Sequence, residues 1–300
     1  MTAPTEAVAT VGSATPVTVQ SWLAAARDAL RRGSDTPRMD AEYILGAVLE
    51  VPRTRLPSRL DRLLDTDSVT TANDLLARRV AGEPIAYLLG EWEFWSLPLG
   101  VTPQVLIPRP ETERLVERAL TLAGENTKPC ILDLGTGSGA IALALAHSLP
   151  QADVLATDCE AEAVAIARAN AARLELNVRF CVGNWYAPLA PGARFNLIVS
   201  NPPYVARGDN ALDPVVARFE PAVALHADHN GLAAFEAIIA GAPSFLSSGG
   251  HLVLEHGFQQ AAAVCALLKQ AGFCEVEDMD DLAGRPRVAN ACWPGGRPNA

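Results

Sequence analysis

The sequence predicts an α/β protein: a doubly wound, mostly parallel sheet of seven strands, preceded by a small all-helical domain and a linking β-hairpin. Three observations predict it. Apolar residues recur at helical spacing as far as Leu89, an aromatic and partly alternating stretch follows, and beyond Pro108 short apolar runs alternate with helical stretches.

Residues 1–15 are small and polar, and are expected to form a disordered tail. In the segment 16–90 the helical faces are marked by Trp22, Leu23 and Ala26, then Ala41, Ile44, Leu45 and Val48, then Leu75, Leu76 and Val80. Gly33, Pro37, Pro52 and Pro57 cut this segment into a small bundle. Residues 91–105 read as a hairpin linker, because Trp92, Phe94, Trp95, Leu97 and Leu99 are interrupted by Pro98 and Gly100.

The remainder, 106–300, carries the sheet. Candidate strands are Cys130 to Leu134, Ala152 to Thr157, Val178 to Val182, Phe195 to Ser200, His251 to Glu255, Phe273 to Val276 and Arg287 to Cys292. Helices fit between most of them, at Glu111 to Leu122, Ala140 to Ser148, Ala161 to Leu174, Leu232 to Ala240 and Gln259 to Gln270. This alternation places helices on both faces of a Rossmann-like sheet.

Composition bounds the function. The chain has 300 residues, 49% of them hydrophobic, enough for two domains with cores of their own. Lys and Arg number 24 against 34 Asp and Glu, a formal charge of -10, so the long-range field repels polyanions and disfavours a broad nucleic-acid groove. The six cysteines form no Cys-x-x-Cys pair and sit mostly in apolar runs, which reads as reduced, buried thiols with no metal site. No signal peptide and no membrane-spanning run is visible, and a cytoplasmic protein is expected.

The first motif runs from strand to helix through Leu134-Gly135-Thr136-Gly137-Ser138-Gly139-Ala140. Its glycines permit positive φ and close approach of a ligand to the backbone. Asp158 ends the next strand about 20 residues later, where a carboxylate can accept hydrogen bonds from two ribose hydroxyls. These features place a nucleoside across the first two strands without naming it, since Gly135-x-Gly137-x-x-Ala140 also satisfies the dinucleotide pattern.

The second motif, Asn201-Pro202-Pro203-Tyr204, directly follows the apolar strand that ends at Ser200. It suits methylation of a planar NH2 whose lone pair is delocalised, as in a carboxamide or an aromatic amine. The Asn201 side-chain oxygen and a proline carbonyl can each accept one N–H, favouring the pyramidal nitrogen that exposes its lone pair. Neither Pro202 nor Pro203 offers an N–H of its own, and the Tyr204 ring can pack on the flat target. A neutral nitrogen attacking a sulfonium methyl needs positioning and exclusion of water more than a dedicated base.

With these residues in place the chain resembles the bacterial peptide-chain release factor N5-glutamine methyltransferase family (PrmC/HemK) from about Trp22 to Ala291. The resemblance is carried by Gly82 to Tyr87, Glu93 to Leu99, Leu106 to Glu113, Leu132 to Gly139, Ser200 to Tyr204, Arg218 to Pro221 and Leu254 to Gly257. It implies a seven-stranded methyltransferase domain behind a helical substrate-recognition domain. It also implies that Gly135, Thr136, Gly137, Ser138, Gly139, Asp158 and Trp185, with Asn201, bind S-adenosyl-L-methionine, and that Asn201, Pro202, Pro203 and Tyr204 hold the target. The implied partners are class I release factors, methylated on the glutamine of their Gly-Gly-Gln motif, with no direct nucleic acid and no membrane.

One position departs from the family pattern: Asn184 stands before Trp185 where members usually carry Asp, and can still accept through its carbonyl. Pro108-Arg109-Pro110-Glu111-Thr112-Glu113 reads equally as the start of a helix, with Pro110 in the first turn and acids complementing the dipole, or as part of the site. Two other substrates use the same amine chemistry, a ribosomal-protein glutamine and the exocyclic amine of adenine in DNA. The acidic charge and the lack of a basic recognition domain argue against the DNA substrate.

Overall fold

The structure is a computed structural model and describes residues 16–124, 128–209 and 212–296; the expected tail over 1–15 lies outside them. The chain divides into two compact units, Met1–Gly90 and Glu91–Ala300.

The first unit is helical among its described residues, with α1 (Val19–Leu30), α2 (Pro37–Val48), α3 (Thr66–Val80) and α4 (Ile85–Leu89). Thr18 and Ser21 cap α1 reciprocally, the Asp65 side chain caps α3, and Gly90 ends α4 in the left-handed region at φ 71°. Trp22, Ala26 and Leu30 of α1 meet Ala41, Ile44 and Leu45 of α2 in the core. The Trp22 indole N–H donates to Asn73 Oδ1 at 2.9 Å, and a buried pair, Arg79 with Asp40 at 2.7 Å, ties α3 to α2.

The second unit opens with the hairpin β1 (Glu91–Phe94) and β2 (Leu97–Gly100). Its two-residue turn, Trp95-Ser96, has φ of 54° and 58°, the right-twisted geometry that Asn-Gly normally supplies. Trp95 is held there by two bonds, its backbone N–H to Glu113 Oε1 at 2.9 Å and its indole N–H to Ser148 at 2.9 Å.

Next come α5 (Glu113–Ala123), β3 (Cys130–Leu134), α6 (Ala140–Ser148), β4 (Asp153–Asp158), α7 (Ala161–Arg173), β5 (Val178–Val182) and β6 (Phe195–Ser200). A run of short pieces follows: β7 (Val205–Ala206), α8 (Pro214–Phe219), α9 (Ala222–Leu225), β8 (His226–Ala227) and α10 (Asp228–Gly231). The unit closes with α11 (Ala233–Gly241), β9 (Leu246–Glu255), α12 (Ala261–Gln270), β10 (Cys274–Asp280) and β11 (Pro286–Trp293).

Among the described residues the main sheet has seven strands in the order β10-β11-β9-β6-β3-β4-β5, parallel except at β11 and β10. Strand side chains alternate between its faces. Ile131, Leu197 and Val199 pack with α5, α6 and α7 on one side, while Leu132, Ile198 and Leu252 pack with α11 and α12 on the other. All residues from Ala140 to Ala146 are buried, so α6 is apolar on every side as a core helix should be.

The α/β architecture expected from the sequence is therefore present, with differences at its margins. Strand β9 begins at Leu246, not His251, because a bulge lets Ser247, Ser248, Gly249 and Gly250 stay within it: Phe195 pairs with Leu246 and Leu197 with His251. Strand β10 continues past Val276 to Asp280 although Glu277, Asp278 and Asp280 are charged, since it is an edge strand, where charge is tolerated. The cysteines are free, but the expectation of burial is corrected. Cys159 and Cys274 are exposed, one after a strand end and the other on the edge strand, and the rest are half-buried. The pieces from β7 to α10 were not foreseen, being too short to show periodicity.

One buried side chain joins the hairpin to the glycine loop. Asn170 of α7 accepts the Gly100 N–H at 2.7 Å and donates to the carbonyls of Gly100 at 3.0 Å and Ser138 at 2.9 Å. Asn170→Ala leaves these backbone groups unpaired and is expected to lower stability by ~1–3 kcal/mol. Urea unfolding of the two proteins measures it, and an unchanged midpoint would show that the tie contributes nothing.

Candidate active site

Two adjacent parallel strands set the site. Leu134 of β3 is in register with Ser200 of β6, and the Ser200 hydroxyl donates to the Leu134 carbonyl at 2.6 Å. The residues that follow, Gly135 and Asn201, therefore leave the sheet side by side at its carboxyl edge, where ligands of open α/β sheets bind.

The glycine loop folds back on β4. The amides of Gly135 and Thr136 both donate to the Thr157 carbonyl, at 2.9 and 3.0 Å, that of Gly137 to Asp158 Oδ2 at 2.8 Å, and that of Gly139 to the Thr136 carbonyl at 2.8 Å. A dinucleotide site turns such amides toward a pyrophosphate; here the loop presents its glycine surface instead. Asp158 also accepts the Glu160 N–H at 3.0 Å, so its carboxylate is fixed in place.

Trp185 closes the adjoining side. Its backbone is left-handed at φ 46°, its carbonyl accepts from the Thr157 hydroxyl at 3.1 Å, and its ring lies 3.4 Å from where a Cβ on Gly135 would stand. That is ordinary contact distance; it is the φ of 74° at Gly135 that disfavours a side chain there.

Gly135, Thr136, Gly137, Ser138, Asp158, Asn184, Trp185, Asn201 and Pro203 together line a cavity of about 370 Å³. Of the other residues singled out in the sequence, Gly139 lies behind the loop, packed close to Leu143 and Ala167 at the start of α6. Pro202 is buried, and Tyr204 packs half-buried against the α11 and α12 face. Neither lines the cavity.

The carbonyl of Tyr204 accepts from Gln260 Nε2 at 3.0 Å. A Cβ on Gly231 would collide with that carbonyl, and Gly231 follows His229 and Asn230 in a left-handed run at φ 54°, 56° and 84°. Strain of this kind persists only where its surroundings enforce it.

Two features were not assigned from the sequence. Arg109, on the cavity wall, pairs with Glu220, whose second oxygen accepts the Ile107 N–H at 3.3 Å. This joins the chain before α5 to the chain after α8. Thr112, buried at the start of α5, accepts from Asn201 Nδ2 at 3.2 Å, and the buried carboxyl of Glu255 follows Leu254, the β9 partner of Ser200. Of the segment Pro108 to Glu113, Pro108, Arg109 and Thr112 thus line the cavity, while Pro110 and Glu113 begin helical turns. A signal for Glu255 was present: a lone acid ending the apolar strand His251-Leu252-Val253-Leu254-Glu255.

Burial governs the acids. It pushes the Asp133 carboxyl up to about 7, opposed by a hydrogen bond from the Thr136 hydroxyl at 2.6 Å. It pushes Glu255 up to about 7 too, opposed by the bond from Thr112 and by the nearby Arg287. The Tyr204 phenol is likewise raised by burial, so it stays neutral.

Residues 113–225 match the family described as Methyltransferase small domain, and residues 21–90 match the PrmC N-terminal domain. The chain is 49% identical over 278 residues to the release factor glutamine methyltransferase of Vibrio cholerae serotype O1, covering 91% of this chain and 96% of that protein. It is 48% identical over 272 residues to the protein of the same description from Burkholderia pseudomallei, covering 89% and 95%. Among solved structures, a methyltransferase from Pyrococcus furiosus shares the fold with a TM-score of 0.52 at 20% identity, over 75% of this chain and all of that one, 100%.

The buried acids predict a pH dependence. Asp133 and Glu255 start from 3.8 and 4.5 and rise to about 7 in the fold, so across that interval the folded state binds more protons than the unfolded state. Stability therefore falls as pH rises toward 7, by up to ~1.4 kcal/mol per pH unit for each group. Urea unfolding between pH 5 and 7 is expected to show a steeper decline for the wild-type protein than for Asp133→Asn; equal slopes would remove Asp133 as a source.

Proposed function

The chain belongs to the release factor glutamine methyltransferase family, and from that premise we propose that it methylates the side-chain amide nitrogen of the glutamine in the Gly-Gly-Gln motif of class I peptide-chain release factors. The observation that carries this reading is Asn201. It stands at the cavity with its Nδ2 already donated to Thr112, which leaves its oxygen for the N–H of an incoming amide.

The cavity fits S-adenosyl-L-methionine. Its volume, about 370 Å³, falls in the range of small-molecule sites. The engaged loop amides suit a ligand without phosphate, and Asp158 supplies a fixed carboxylate for ribose hydroxyls. In this reading Gly135, Thr136, Gly137, Ser138 and Gly139 form the floor, Asp158 takes the ribose, and Trp185 lies against the adenine. When bound, the cofactor supplies an electrophilic methyl group on a sulfonium.

The chain's own residues do the positioning. Asn201 Oδ1 and the Pro202 carbonyl accept the two N–H groups of the target amide and favour its pyramidal form, in which the nitrogen lone pair is free to attack. Pro202 acts through its backbone, consistent with its buried ring. Tyr204, held by Gln260 through its carbonyl, is assigned as the platform for the flat carboxamide from outside the cofactor cavity, which its ring does not line. After transfer the nitrogen releases its proton to water, so no base is required.

The helical unit, residues 21–90 of which match the PrmC N-terminal domain, is assigned to recognition of the release factor. The formal charge of -10 supports a protein substrate over nucleic acid. A cytoplasmic location follows from the proposed release-factor substrate; no helix among the described residues is long and apolar enough to cross a membrane.

Intact-mass measurement of a purified release factor, incubated with this protein and S-adenosyl-L-methionine, is expected to show one added methyl group on the Gly-Gly-Gln glutamine, with none on duplex DNA. Methylated adenine beside an unchanged release factor would overturn the assignment. Separately, Asp158→Ala is expected to weaken cofactor binding by ~1.5–3 kcal/mol, the scale of a hydrogen bond to a charged group. Calorimetry that finds equal affinity would remove Asp158 from the ribose site.

A further inference from the structure

The segment Asn201-Pro202-Pro203-Tyr204 is hard to hold still by its own backbone. Proline has no N–H, so positions 202 and 203 supply no amide by which the chain could be tied down. In the assigned reaction the Pro202 carbonyl takes a target N–H, so it is not free to serve as a tie either. The direction of that carbonyl must be set from the two ends of the segment.

One end is fixed by the sheet. Ser200 pairs with Leu134 on one side and Leu254 on the other, and its hydroxyl donates to the Leu134 carbonyl at 2.6 Å. At the other end stands Gln260, the residue before α12. Its Nε2 donates to the Tyr204 carbonyl at 3.0 Å and to the Gly231 carbonyl at 3.4 Å, while its Oε1 accepts the Gly257 N–H at 3.0 Å. Two carbonyls on one side and an N–H on the other admit only this orientation of the carboxamide.

The three groups belong to three segments: the chain leaving β6, the left-handed run that ends at Gly231, and the chain leaving β9. The junction is tight, since a Cβ on Gly231 would collide with the Tyr204 carbonyl and crowd Gln260 Nε2. Gln260 does nothing comparable for its own helix. It occupies the N-cap of α12, a place that favours Ser, Thr, Asp or Asn, and its side chain caps no N–H there. Its carboxamide is engaged with the backbone around the site instead.

Resting on the methyl-transfer reading above, we propose that Gln260 is a positioning residue that anchors the far end of the Asn-Pro-Pro-Tyr segment and so aims the Pro202 carbonyl at the nitrogen being methylated. Gln260 does not line the cofactor cavity. It acts through the backbone of Tyr204.

Single-turnover methylation of a release factor tests the anchor, with cofactor affinity measured separately by calorimetry and folding checked by circular dichroism. Gln260→Ala is expected to lower the rate by about 10-fold to 100-fold, the scale of a misplaced catalytic contact, with cofactor affinity within about threefold of wild type. Gln260→Glu keeps the length and the oxygen that takes the Gly257 N–H, but an ionised carboxylate turns oxygen toward the two carbonyls. Protonated, it regains one O–H donor. Its rate relative to wild type is therefore expected to rise severalfold as pH is lowered from 8 toward 5, while the ratio for Gln260→Ala stays flat. Division by the wild-type rate at each pH removes the titration the proteins share, that of Asp228 and His229 beside Gly231, of His256 beside Gly257, and of Glu255. A wild-type rate in folded Gln260→Ala, a Gln260→Glu ratio that ignores pH, or a loss of cofactor affinity in step with rate would each overturn the proposal.

A second readout needs no release factor and so separates this inference from the assigned reaction. In the cofactor-bound enzyme, nitrogen-15 relaxation should report the Tyr204 and Val205 amides as rigid, and Gln260→Ala should loosen both while leaving Ser200 unchanged. Equal order in the two proteins sinks the anchor whatever the substrate proves to be. Loosened amides, beside a wild-type enzyme that leaves release factors unmethylated, would keep the anchor and remove the assigned reaction.

Discussion

The parallel pairing of β3 with β6 is the constraint on which the site depends. It brings together two chain segments far apart in sequence, the glycine loop after Leu134 and the Asn-Pro-Pro-Tyr segment after Ser200, and the Ser200 hydroxyl locks their levels. The same register logic on the other side of β6 brings Glu255 beside Asn201. Asn201 and Glu255 thus stand within a residue of a strand end, and Thr112 reaches Asn201 from the turn at the start of α5. Rigid elements hold such groups more tightly than loops can.

That arrangement burdens the fold with polar groups in its interior. Asp133 and Glu255 are both fully buried, each with one carboxyl oxygen lacking a partner, and both are held near neutrality by desolvation. Carboxyls of this kind weaken a core. The surrounding apolar layers, seven-stranded and covered on both faces, are what make them tolerable. Left-handed backbone at Trp185, His229 and Asn230 adds strain close to the same cavity.

Much of this was legible in the sequence. The strand-glycine-helix run, the acid at Asp158 and the placement of Asn201 after an apolar strand follow from period and punctuation, which are local properties. Thr112 and Glu255 were less so, because their closeness to Asn201 exists only after distant segments pack; Thr112 sat in a segment that reads equally well as a helix start. Asn170 gave no sign at all, as an asparagine among alanines of α7 looks like an ordinary surface position until the hairpin folds over it. Register-dependent contacts are invisible to a one-dimensional pattern, and so are left-handed turns such as Trp95-Ser96 that lack the usual glycine.

The inward turn of the glycine loop bears on competition inside a cell. Nucleotide polyphosphates and dinucleotides share the adenosine moiety of S-adenosyl-L-methionine. A loop with four amides bonded to its own protein gives a phosphate chain little to hold. Discrimination between these look-alike molecules is thus built into the hydrogen bonding of the loop itself.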